Sequence, residues 1–258
     1  MRNCLIALIL TFIPASIIPV SAWADLIDAE QAYQEGRWTD AATFALEADD
    51  ARGYAYASWA LTAQLMVEPD HFDRRALMRR AVDYAETAYR LDAEDLLVQR
   101  QLAMALGVRG RFMSGFRAYL QRLPHRGRHL LTEVITADPQ DAWALGLMGA
   151  WHLEVLRRGG SAGRSTLGAS IDAGLALYSQ SIALDPDNLA PRYFLALGLI
   201  SLQDRARYDL AVEQLQIAID QEPRDAFEAG IREEAILLMV ETSDYRAAAR
   251  WAEDRLSN

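Results

Sequence analysis

Residues 189–223 read LAPRYFLALGLISLQDRARYDLAVEQLQIAIDQEP, and this stretch decides the fold. Ala190 to Leu202 is mostly apolar, with the small Ala196 at its middle. A polar break, Gln203-Asp204-Arg205-Ala206-Arg207, follows. Tyr208 then opens a second run carrying Ala211, Leu215 and Ala218, and Pro223 ends the unit. Two antiparallel helices approach closely only where small side chains face each other, and Ala196, Ala211 and Ala218 supply that seam. Tyr208 covers the contact with a large ring, and Pro223 stops the second helix because it lacks an N–H. One such hairpin cannot bury its faces alone, so it needs copies beside it.

The same offsets recur along the chain. Tyr245 and Ala248 repeat the start of a second helix, and Ala81 and Ala88 repeat it earlier, with Ala93 where the proline would be. Leu102, Ala103 and Leu106 match the first helix, as does the large-then-small pair Met148-Gly149. Pro139, Pro186 and Pro223 each close a unit, and Gly36, Trp38, Ala41 and Ala48 look like a degenerate first copy. The pattern resembles the tetratricopeptide repeat over nearly all of the chain after residue 25. That resemblance implies a right-handed superhelical solenoid of about five or six helical hairpins over 25–258. It also implies a protein or peptide partner, and neither catalytic residues nor a cofactor. Periodicity agrees on the class. The runs are amphipathic at a 3.6-residue period and no stretch sustains alternation of period two, so the chain is expected to be all-α.

The composition limits the function classes. A formal charge of −10 on 258 residues argues against general nucleic-acid binding. All 26 basic residues are arginine, so every cation here can fork onto a carboxylate or phosphate. Residues 1–24 read as a secretory signal. Arg2 precedes an apolar run from Leu5 to Val20, and Ala22-Trp23-Ala24 offers small residues at both recognition positions for cleavage. A retained membrane anchor is the competing reading, although the apolar run falls slightly short of the roughly 20 residues of a span. Cleavage would remove Cys4, the one cysteine, and leave no thiol for a disulfide or a thiolate metal site. It would also leave no membrane span and place the protein in the periplasm.

Two units, Ala93 to Pro139 and Pro139 to Pro186, exceed the roughly 34 residues of such a repeat. The excess falls near 107–127 (GVRGRFMSGFRAYLQRLPHRG) and 157–170 (RRGGSAGRSTLGAS), where insertions emerge on one edge of a solenoid. Between Gly107 and Gly168 lie Arg109, Arg111, Arg117, Arg122, Arg126, Arg128, Arg157, Arg158 and Arg164, opposed by only Glu133, Asp138, Asp141 and Glu154. All of these arginines except Arg122 are carried forward as candidates for binding an anionic partner; solvated loops that balance acidic neighbours are the alternative. Phe112, Phe116, Tyr119 and Leu120 accompany the first group and suggest an amphipathic lip.

The resemblance also implies an inner groove lined by first helices. Its offsets fall on Leu97, Arg100 and Met104, then Trp143, Gly146 and Ala150, then Ala190, Tyr193 and Leu197, then Phe227, Gly230 and Glu234. Arg100, Met104, Trp143, Tyr193, Leu197 and Phe227 are the candidate contact residues; core packing of Trp143 and Phe227 is the competing reading. Relatives that bind chaperone tails use a lysine-rich clamp at these positions, which a chain without lysine does not carry. His125 and His129 share a helical spacing that can chelate a metal, but no carboxylate or cysteine beside them completes a set. Gly159, Ser161 and Gly163 fit a nucleophile-elbow pattern, yet they fall in an expected helix–helix loop with no histidine following. The sequence thus points to an exported bacterial envelope scaffold. The alternative is an accessory subunit of a solute transporter that holds an apolar or anionic small molecule.

Overall fold

A computed structural model describes residues 20–257. Among them are thirteen α-helices and no strand. They form six antiparallel hairpins: α1 (Val20–Gln34) with α2 (Trp38–Glu47), α3 (Ala51–Val67) with α4 (Arg74–Leu91), and α5 (Leu96–Arg111) with α7 (Leu123–Ala137). The rest are α8 (Ala142–Leu167) with α9 (Ile171–Leu184), α10 (Ala190–Ser201) with α11 (Tyr208–Asp220), and α12 (Ala226–Glu241) with α13 (Tyr245–Leu256). The short α6 (Gly115–Leu120) is inserted into the third hairpin.

The alanine seam forms as the spacing requires. Ala196, Ala211 and Ala218 are fully buried, as are Ala41, Ala88 and Ala248 of other hairpins. Tyr208 bridges to the next hairpin: its ring meets that of Tyr245 edge to face at 4.9 Å, and its hydroxyl donates to the Thr242 carbonyl at 2.9 Å. Helix starts consume much of the acidic excess. Asp50, Asp73, Asp95, Asp141, Asp225 and Asp244 each accept a backbone N–H at the first turn of α3, α4, α5, α8, α12 and α13. A capping aspartate satisfies an orphan donor and sits well with the helix dipole.

The two insertions depart from the loops expected of them. The first contributes the last turn of α5, all of α6 and the start of α7. The second continues α8 across a sharp break at Gly160, whose φ of 51° and ψ of −128° suit only glycine. Beyond it the helical segment doubles back: a Cβ on Gly163 would lie 2.5 Å from the Val155 carbonyl oxygen. Gly159, Ser161 and Gly163 therefore serve a helix reversal and not a flexible loop.

First helices form an inner layer, and this layer closes on itself. Helix α12 of the last hairpin packs against α3 and touches α1. The approach is close, since a Cβ on Gly230 would stand 2.7 Å from Val67 Cβ, and one on Gly36 would stand 3.1 Å from Ala226 Cβ. Aromatic rings fill the space enclosed. Trp59 of α3 meets Trp143 of α8 at 4.8 Å, edge to face, and Phe227 of α12 lies 6.5 Å from Trp59 and 6.4 Å from Trp143. Such pairs add about 0.5–1.5 kcal/mol each beyond the area they bury.

Candidate functional site

This closure changes the standing of the groove positions. Met104, Tyr193, Leu197 and Phe227 are buried, and Trp143 is half-buried against the same core. Arg100 is held by an ion pair to Asp141 at 2.6 Å, which ties the third hairpin to the fourth. The last hairpin packs on α10, which carries Tyr193 and Leu197, and its own Phe227 meets Trp59 and Trp143. Burial raises the Tyr193 hydroxyl far above its ordinary range, with the charge of Glu234 adding to it.

The arginine-rich zone divides as well. Arg126 forms a double hydrogen bond with Glu86 of α4 and stacks over Tyr89. Arg128 donates to the Leu167 carbonyl at 2.8 Å and lies over the Trp151 ring. Arg109 donates to Gln121 at 3.1 Å, while Arg117 and Arg164 are exposed. These five act separately. The remaining three, Arg111, Arg157 and Arg158, converge on one surface cleft.

That cleft has a volume of about 860 Å³ and lies between the α3–α4 turn, the end of α5, the start of α6, α8 and the C-terminal end of α13. Two further arginines, Arg74 and Arg75 at the start of α4, join it. Sequence reading passes over them because they belong to a different hairpin; the available signal is the Arg-Arg pair directly after the turn residues His71, Phe72 and Asp73. Phe112, Met113 and Pro69 supply apolar wall, and Phe72, 95% exposed, stands at the rim stacked on His71 at 4.8 Å. Behind it a small cavity of about 30 Å³ shares Pro69, Arg74, Arg111 and Phe112 and reaches Tyr193 and Leu197.

The floor of the cleft is fixed by one carboxylate. Glu154 accepts from Arg157 at 2.8 and 2.9 Å and from Arg158 at 3.5 Å, and Arg157 also reaches Glu253 at 2.6 Å. Arg158 donates further to the Met113 carbonyl, which anchors the α5–α6 turn to α8. Burial alone would push the Glu154 carboxyl up, but the hydrogen bond from Arg157 and the charges of Arg111, Arg157 and Arg158 hold it below its ordinary value. Its stabilising contribution is therefore complete above pH 4.5, the ordinary value, and is lost as pH falls through the lowered one. Glu154→Gln should cost about 2–4 kcal/mol at pH 7, near the lower end for breaking a buried ion pair. Urea melts at pH 7 and pH 3.5 check this: the variant should lose less stability on acidification than the parent.

The walls differ in how far their charges are spent. Arg74 donates to the Leu65 carbonyl at 3.1 Å and sits 5.6 Å over the Phe112 ring, but its buried Nε has no partner. Burial, then the charges of Arg111 and Arg255, lowers its pKa. Among the described residues, neither Arg75 nor Arg111 has an ion pair within 4.0 Å. The histidine pair offers less. His129 faces Glu133 at 3.4 Å, a neighbour that the sequence reading overlooks, and His125 packs on Tyr119 at 5.4 Å. No group of three or more His, Cys, Asp or Glu residues suited to a metal occurs among the described residues.

Stacked antiparallel hairpins with alanine seams define a helical-repeat protein. A solved structure bears this out: the chain is similar to TTC0263, a thermophilic TPR protein in Thermus thermophilus, with a TM-score of 0.57. The match covers 84% of this chain and 99% of that one, at 20% sequence identity, so the likeness lies in the fold. No family model and no curated protein matches the chain.

Proposed function

We propose that the protein is a non-catalytic interaction scaffold, exported to the periplasm, that engages a protein partner. The observation that carries this reading is the tetratricopeptide-like array of hairpins, a fold suited to presenting rigid helical surfaces. With the inner face filled, the contact surface lies on the insertion: α6 exposes Phe116 at 73% and Leu120 at 63%, with Tyr119 beside them. Large exposed apolar side chains in one place mark contact sites more often than isolated ones do. Export rests on the apolar leader at residues 5–20, which lies almost wholly outside the described residues. Val20 to Ala24 open α1, and Ala29, Ala32 and Tyr33, which anchor that helix, all lie beyond the expected cleavage point. Among the described residues no helix is long and apolar enough to cross a membrane.

Pull-down from an envelope extract tests the scaffold reading. Phe116→Asp/Leu120→Asp should retain its thermal melt and lose at least one partner that the parent recovers. Equal recovery by both would remove α6 from the account. A second reading, an accessory subunit that holds a small molecule for a transporter, is favoured by the cleft of about 860 Å³. Native mass spectrometry should then show a stoichiometric co-purified molecule.

A further inference from the structure

We propose that the cleft between α4, α5 and α8 binds a small organic anion, a carboxylate or phosphate carried on an apolar body. This deepens the second reading by naming the ligand class and the side chains that hold it. Size comes first: about 860 Å³ lies within the range of small-molecule sites, roughly 300–1,000 Å³. Charge comes next. Five arginines line the cleft, Arg74, Arg75, Arg111, Arg157 and Arg158, against Asp73 and Glu253 on its walls and Glu154 behind. Asp73 is committed to capping α4, Glu253 to Arg157, and Glu154 to Arg157 and Arg158. Among the described residues Arg75 and Arg111 have no ion pair, although Arg111 shares the field of Glu154 and Arg74 that of Asp70 and Glu234, on a protein whose net charge is −10.

These three groups are arranged to receive an anion. Arg74 is pinned by the Leu65 carbonyl and the Phe112 ring, so its orientation is set before a ligand arrives. Its Nε is buried away from the cleft's solvent, so an anion there would meet Arg74 through its charge and not through that atom. Arg111, which crowds it, gains from the same neutralisation. A guanidinium fork donates to carboxylate or phosphate oxygens in pairs. The apolar body of the ligand would lie along Phe112, Met113 and Pro69, with Phe72 at the rim able to fold over it. Opposite, Arg158 is tied to the Met113 carbonyl, and a Cβ on Gly115 would come within 3.3 Å of the Arg158 carbonyl oxygen, so that wall is rigid.

Isothermal titration of the purified protein tests this with four probes: 4-phenylbutyrate, phenyl phosphate, inorganic phosphate and the neutral 4-phenylbutanol. At least one of the two aryl anions should bind, and which of them binds identifies the head group. The alcohol should bind at least about tenfold more weakly, as expected when a charge-assisted hydrogen bond is lost. Inorganic phosphate should bind more weakly than the better aryl anion. Arg111→Gln should weaken that anion about tenfold, and Arg90→Gln, exposed at the end of α4 outside the cleft, should leave it unchanged. If Arg111→Gln fails to fold, the exposed Arg75→Gln carries the comparison, with about a threefold loss expected for one screened charge. Absence of binding by both aryl anions at millimolar concentration overturns the proposal. So does equal affinity for the alcohol, or unchanged affinity in both cleft variants. A co-purified molecule in native mass spectrometry together with no anion binding would keep the accessory reading and move its ligand elsewhere.

Discussion

Replacing Phe227 with alanine should destabilise the folded protein by about 3–5 kcal/mol, the usual cost of emptying a large aromatic site in a core. The side chain is 3% exposed and shares its pocket with Trp59 and Trp143, which come from two other hairpins. Removing the ring leaves a hole at the point where α3, α8 and α12 meet, and none of those helices can move inward without breaking its own hairpin seam. Urea unfolding reads the loss as a lower midpoint at unchanged slope. Were Phe227 instead part of an open binding lining, the same change would stay within about 0.5 kcal/mol and appear in partner affinity.

The second large effect concerns one substitution whose sign depends on place. Gly230→Ala gains about 1 kcal/mol of helix propensity. It also puts a Cβ 2.7 Å from Val67 Cβ and 2.9 Å from Val67 Cγ1. Those atoms sit close to the α3 backbone and cannot swing away, so α12 must back off from α3, at an overpacking cost of about 1–3 kcal/mol. A net loss of stability is expected. Gly107→Ala is the control: it lies inside α5 and its Cβ would meet nothing within 4 Å. The same methyl there should raise stability by about 0.5–1 kcal/mol. Thermal melts of the two variants should shift in opposite directions; a stabilised Gly230→Ala would mean that α12 does not lie on α3.

Much of this fold is legible locally. The boundaries of α4, Arg74–Leu91, follow from its capping Asp73 and from the alanine period of Ala81 and Ala88. Hairpin pairing follows from the seams, since Ala81, Ala88, Ala211 and Ala218 mark faces that must meet small partners. Closure is not legible. It depends on α12 meeting α3, elements far apart in sequence, and the residues that make the contact, Gly230 and Val67, look like any glycine and valine in a helix. For that reason Tyr193, Leu197 and Phe227 read as a lining and prove to be core. The insertion at 157–170 reads as a loop because Gly159-Gly160 is a strong loop signal, whereas one residue at positive φ suffices to reverse a helix. Of the cleft, Arg111, Arg157 and Arg158 are visible as part of a basic stretch. Arg74 and Arg75 are not, because nothing local places the start of α4 beside the end of α5.

The charge pattern and the closure belong together. An array whose inner face is filled by its own last hairpin has little of that face to offer, which is why the proposed contact surfaces are on the outer edge. There the insertions bring exposed rings and unspent guanidinium groups to the surface.

The most direct test of closure is a double-mutant cycle between Trp59 and Phe227, measured by urea unfolding of the parent, Trp59→Ala, Phe227→Ala and the double variant. Rings 6.5 Å apart in a shared core should couple by about 0.5–1.5 kcal/mol. In an array whose second and sixth hairpins never meet, the two losses would simply add, with coupling below about 0.3 kcal/mol, and that result would contradict the account.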